Sequence, residues 1–96
     1  MKGADIMDFK FEGNRIYLTG ENNAVIAEVT FPDINENLVN LNHTFVDNSL
    51  RGQGIAGMLM EAVVEVLRKQ NKKVKLTCSY AVTWFQKHPE CNDVVE

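Results

Sequence analysis

The chain has 96 residues, 45% of them hydrophobic, and a net charge of −3. That length supports one hydrophobic core rather than two, so a single domain over residues 1–96 is expected and any active site must be built from few residues. The acidic balance excludes a general pull toward nucleic acid. The absence of a long apolar run argues against a membrane span.

Met1 to Met7 contains one lysine and no apolar stretch. No leader is therefore expected, and the cytoplasm is the expected location. Phe9 and Phe11 alternate with charged neighbours, and Ile16 and Leu18 repeat at period two within Asn14 to Thr19. Two strands joined by a hairpin turn at Glu12-Gly13-Asn14 are predicted. A turn at Gly20 to Asn23 leads into a third strand with Val25, Ala27, Val29 and Phe31 on one face, and Pro32 stops its pairing. Leu38 to Val46 reads as a fourth strand with Val39, Leu41, His43 and Phe45 on one face. Four strands with short links predict an antiparallel meander.

The run Arg51-Gly52-Gln53-Gly54-Ile55-Ala56-Gly57 follows. Three glycines in six positions suit a tight turn and a close ligand approach, and the helix predicted next aims free N–H groups at the same spot. Arg51 adds a guanidinium for an anion, so a phosphate site is predicted. Ile55, Leu59, Ala62, Val63, Val66 and Leu67 recur at helical spacing and predict a helix of about eighteen residues that covers one sheet face. A helical crossover makes Val74 to Thr77 a fifth strand parallel to the fourth. A short helix, Ala81 to Lys87, is expected to stop at Pro89. The basic cluster from Arg68 to Lys75 reads as a solvated helix end. Cys78 and Cys91 lack metal-ligand spacing and are expected to be thiols, with no metal.

The order of elements, with Arg51, Gly54 and Ala56 opening the main helix, resembles the acyl-CoA-dependent acetyltransferases of the GNAT superfamily. The resemblance covers Asn37 to Pro89 and implies an α+β fold of the GNAT type with acetyl-CoA or coenzyme A as co-substrate. It implies that the backbone amides from Gly52 to Gly57 hold the pyrophosphate, that Gln53 adds a side-chain donor, and that the backbone of Phe45 and Val46 pairs with the pantetheine arm. The second signature of the superfamily departs here. Cys78 stands where that signature has Asn, and Phe85 stands where it has the tyrosine that often protonates the CoA thiolate. Leu38 to Val46 also holds no carboxylate to serve as base. The chain is similar to a short subfamily of GNAT-like proteins in which the acceptor half is reduced.

Cys78 is then the first candidate catalytic residue, either as an acetyl carrier or as a small apolar neighbour of the pantetheine. His43 is the second. It reads as an inward histidine by strand parity, or as a base if a bulge turns it toward the cleft. Tyr80 is a weaker substitute for the lost tyrosine, His88 reads as a helix-end residue, and Trp84 and Phe85 are expected to pack the last helix, with Phe85 touching the pantetheine. The function implied is acetyl transfer from acetyl-CoA to an amine, or through Cys78 to another nucleophile. Two alternatives stand beside it: a CoA-binding sensor without catalysis, and a protein-interaction domain using an open sheet edge. The acceptor is unspecified, and a monomer is favoured over an oligomer.

Overall fold

The computed structural model describes residues 8–96, so the reading of Met1 to Met7 lies outside the described residues. Strands β1 (Lys10–Phe11), β2 (Arg15–Thr19) and β3 (Val25–Thr30) form an antiparallel set with the turns where the glycines and asparagines predicted them. Gly13, Asn22 and Asn23 take positive φ values of 59°, 60° and 60°, the region that Gly and Asn enter most readily. A register shift between Leu18 and Thr19 separates Val25 from the inward set. Ala27, Val29 and Phe31 are buried as expected, whereas Val25 is exposed.

The predicted fourth strand is two strands. β5 (Leu38–Leu41) and β6 (His43–Val46) are separated by Asn42 and belong to different sheets. One sheet has the order β1-β2-β3-β6, with β6 antiparallel to β3. The other has the order β4-β5-β7, where β4 is Asp33–Asn35 and β7 is Lys73–Leu76, parallel to β5. The four-stranded antiparallel sheet and the parallel fifth partner therefore both exist, but each uses a different half of Leu38–Val46. The inserted Asn42 reverses the parity, as an extra residue must in a structure of period two. Val39 and Leu41 are buried, while His43 and Phe45 turn outward. Strand β4 occupies the link between Pro32 and Leu38, where the sequence pattern predicts no strand.

Helix α1 (Ile55–Gln70) presents Ile55, Leu59, Met60, Val63, Val64 and Leu67 to the core. It lies across β2, β3 and β6, against the inner residues Ile16, Ala27 and Val29. Asn71, at φ 57° and ψ 43°, ends the helix in the left-handed conformation and its N–H returns to the Arg68 and Leu67 carbonyls. Helix α2 (Ser79–Gln86) follows β7, and a 3-10 turn, Pro89–Val94, continues the chain beyond the expected stop. Arg68 holds that turn through two bonds to Asp93, 2.8 and 3.0 Å, and one to the Glu90 carbonyl at 3.1 Å. Val95 then bridges Val74, adding a last contact to the sheet.

Candidate functional site

The cleft begins where the two sheets part. The Leu41 carbonyl accepts the N–H groups of Thr77 and Cys78 at 3.1 and 3.2 Å, closing the β5–β7 ladder. Beyond that point, among the described residues, β6 pairs with β3 alone. The Asp47 N–H donates to the Ile26 carbonyl at 2.8 Å, and the register pairs Val46 with Ala27 and Phe45 with Glu28. In an antiparallel ladder the bonded positions alternate, so the backbone groups of Phe45 face β3 and those of Thr44 and Val46 face the open edge. Val46 thus presents its backbone groups to the open edge. Phe45 does not: its backbone is committed to the sheet and its ring is 39% exposed on the outer face.

The loop after β6 is set by Asp47, whose carboxylate accepts from the Ser49 N–H at 3.0 Å and the Ser49 hydroxyl at 2.6 Å. Those bonds hold the Asp47 carboxyl below the usual carboxylate range. Gly52 and Gly54 adopt φ values of 83° and 76°, and a Cβ on either would meet nothing within 4 Å. Backbone conformation, rather than crowding within the protein, requires glycine at these two positions. Gly57 differs, because its conformation is helical and a Cβ would stand 3.4 Å from the Trp84 indole nitrogen.

The Arg51 and Gln53 N–H groups are used within the loop, bonding the carbonyls of Asn48 and Leu50 at 3.2 and 3.3 Å. Those of Gly52, Gly54, Ile55, Ala56 and Gly57 have no backbone acceptor among the described residues. Several of these are the orphan donors of the first turn of α1, oriented as an anion requires. They border a cleft of about 410 Å³, lined also by Thr44, Val46, Leu50, Arg51 and Tyr80. Gln53 is not in the lining, and its backbone N–H is already bonded. The expected donor set therefore contracts to the three glycines, Ile55 and Ala56, with Arg51 beside them. The loop offers several N–H donors to an anion, and the open edge of β6 offers partners for an extended amide chain.

Cys78 is the residue before α2 and has φ −90° and ψ 127°. Cys78 is not itself in the cleft lining, but its Sγ lies 3.4 Å from the Oγ1 of Thr44, which is, across the opening between β7 and β6. Burial opposes ionisation, but the Thr44 hydroxyl and the backbone N–H groups of Ala81, Tyr80 and Thr44 outweigh it, so the thiol titrates below its ordinary value. Cys91 behaves in the opposite way. Burial and the Glu90 charge push its thiol up. Burial also raises the Tyr80 phenol, which stays protonated at neutral pH.

His43 is not brought to Cys78. Its Nε2 lies 3.7 Å from Glu28 on the outer face, where Arg15 bonds both Glu28 and Glu12 and stacks 3.9 Å over Tyr17. The break at Asn42 does turn residues of β6, but it turns Thr44 inward and His43 outward. Phe85 also lies away from the lining: it is 3% exposed, with its ring edge-on to Trp84 at 5.0 Å. His88 stacks on Trp84 at 3.9 Å and bonds its carbonyl at 2.7 Å through Nδ1, which caps the helix end. Thr44 escaped the sequence reading. Its signal was Asn42, a poor strand former inside an otherwise regular run. Among the described residues no group of three or more His, Cys, Asp and Glu side chains is placed to hold a metal. No helix among them is long and apolar enough to cross a membrane.

Residues 15–94 match the family of GCN5-related N-acetyl-transferases. A GCN5-like protein from Staphylococcus aureus, solved by NMR in solution, superposes with a TM-score of 0.79 at 34% identity, covering 93% of this chain and 87% of that one. A GNAT family acetyltransferase from Elizabethkingia anophelis with acetyl-CoA bound shares the fold at 16% identity, with a TM-score of 0.60 over 77% of this chain and 51% of that one. Protein NATD1 from mouse is 30% identical over 63 residues, which cover 66% of this chain. The match spans 57% of the length of that curated relative. Fold, loop and sequence agree, and the chain belongs to the GCN5-related N-acetyltransferase (GNAT) family.

Proposed function

We propose that this protein binds acetyl-CoA in the cleft and passes the acetyl group through Cys78 to an amine. The pyrophosphate is assigned to the N–H groups of the Gly52–Gly57 loop and to Arg51, and the pantetheine arm to the open edge at Thr44 and Val46. The observation that carries the catalytic assignment is the position of Cys78. Its sulfur stands at the divergence of β6 and β7, beside the edge the pantetheine would follow.

The chemistry also accounts for the two missing residues. Cys78 loses its proton and its sulfur attacks the thioester carbonyl; a new S–C bond forms, the C–S bond to CoA breaks, and the CoA sulfur recovers a proton. The exchange of one thioester for another is nearly balanced, so it needs neither the usual tyrosine acid nor the glutamate base. A neutral amine then attacks the acetylated Cys78, which recovers its thiol as the amide forms and the amine loses a proton. Backbone N–H groups of Thr44, Tyr80 and Ala81 converge near this sulfur and suit the negative charge of either step.

A second reading is a CoA sensor that binds without turnover, favoured by the buried Phe85 and by the lack of any carboxylate in Leu38 to Val46. Acetyl-CoA consumption with a panel of amines separates the two. Wild-type turnover that is lost in Cys78→Ala, with CoA binding retained, supports the carrier. Turnover unchanged in Cys78→Ala overturns it, and inertness of the wild type across the panel supports the sensor.

A further inference from the structure

We propose that Thr44 is the positioning residue for Cys78, holding its sulfur toward the cleft and stabilising the thiolate through the threonine hydroxyl. This inference rests on the reading of Cys78 as the acetyl carrier. Thr44 lies on β6, whose inner face is set by the interruption at Asn42, and Cys78 lies just after β7, whose register is set by pairing with β5. The two residues are 34 positions apart in sequence and belong to segments in different sheets. Their 3.4 Å approach therefore follows from how the sheets part and not from local chain geometry. Thr44 Oγ1 has no other hydrogen-bond partner among the described residues, whereas the neighbouring threonines, Thr30 and Thr77, bond Asn42 and Asn40 at 2.7 and 2.6 Å.

With a neutral thiol, Sγ–H donates to the threonine oxygen. Once the proton leaves, the hydroxyl rotates and donates to the sulfur, so the same pair serves both protonation states. Thr44 also lines the cleft, and its β-branch limits the hydroxyl to few orientations. The titratable or charged side chains that line the cleft are Tyr80 on α2 and Arg51 in the loop. Neither is hydrogen-bonded to the sulfur. Thr44 is thus, among the described residues, the one side chain in contact with it through a hydrogen bond.

The test is the pH dependence of Cys78 alkylation by iodoacetamide, read by peptide mapping on the full chain without any CoA. Thr44→Val keeps the shape and removes the hydroxyl. Its alkylation midpoint should rise by about one pH unit, with about a tenfold lower rate at neutral pH. Thr44→Ser should restore the midpoint, a rescue that a purely steric role would not give. Cys91, mapped in the same digest, reports whether folding is intact, and Thr44→Ala in the same assay replaces Thr44→Val if the valine variant does not fold. An unchanged midpoint in the hydroxyl-free variant, or Thr44→Ser as impaired as that variant, overturns the proposal. Because the assay contains no acetyl-CoA, it stands or falls separately from the acetyl-carrier reading.

Discussion

Two glycines of one loop should respond to alanine with opposite sign. Gly54 has φ 76° and ψ 15°, and a Cβ there touches nothing in the protein. The penalty of Gly54→Ala is therefore almost purely conformational, about 1–2 kcal/mol for an L-residue in the left-handed region. Gly57 lies in the first turn of α1 with a helical backbone, and its new methyl would meet the Trp84 indole nitrogen at 3.4 Å, an ordinary contact. There alanine reduces the freedom of the unfolded chain and should stabilise by about 0.4–1 kcal/mol. The gap between the variants is about 2 kcal/mol, or about 10 °C in Tm for a chain of this size. Urea and thermal unfolding of both proteins measure it, with equal m-values confirming that the unfolded states are comparable. Equal destabilisation by the two substitutions would refute the argument, since it would mean that the methyl at Gly57 is crowded against Trp84 rather than accommodated.

The remaining predictions concern charge and the missing acid. Asp93 is held below the usual carboxylate range, chiefly by hydrogen bonds from Arg68, and Asp33 by Lys72 and Asn14. A depressed folded pKa contributes stability that is present above the unfolded value of about 3.9 and is lost as pH falls through the lower folded value. The urea midpoint should therefore drop on acidification below about pH 4, and Asp93→Asn should lower it at neutral pH more than at pH 3. An equal loss at both pH values would remove the Arg68–Asp93 contribution from the account. Phe85→Tyr restores the hydroxyl of the superfamily signature, but at a buried ring outside the cleft lining. It should destabilise by about 1–3 kcal/mol without increasing acetyl transfer, as followed by CoA release. A gain in transfer would show that the ring reaches the sulfur.

Local signals carried much of the fold. The glycine loop and the helix after it were legible because left-handed turns select glycine and because Ile55, Leu59, Val63 and Leu67 repeat with the helical period. The hairpin of β1 and β2 was legible for the same kind of reason. The division of Leu38–Val46 was not, because Val39, Leu41, His43 and Phe45 continue an alternating pattern through Asn42 while the chain changes partners from β7 to β3. Pairing between distant segments decided that point. Its consequence for the site was large: the inward position passed from His43 to Thr44, and the backbone of Phe45 left the cleft. Strand β4 gave no signal, since Asp33, Ile34 and Asn35 are all exposed and the strand exists only by pairing with β5. The Phe85 position illustrates the reverse error. A match by spacing to a cofactor-touching tyrosine says which turn of helix a residue occupies, not whether its ring faces cleft or core.

The most direct measurement of the central claim is mass spectrometry of the intact protein and its peptides after incubation with acetyl-CoA. The account predicts one acetyl group on the peptide bearing Cys78, none on Cys91, and its loss when an accepting amine is added. A protein that binds acetyl-CoA yet gains no acetyl group at Cys78, while amine acetylation proceeds, would contradict it.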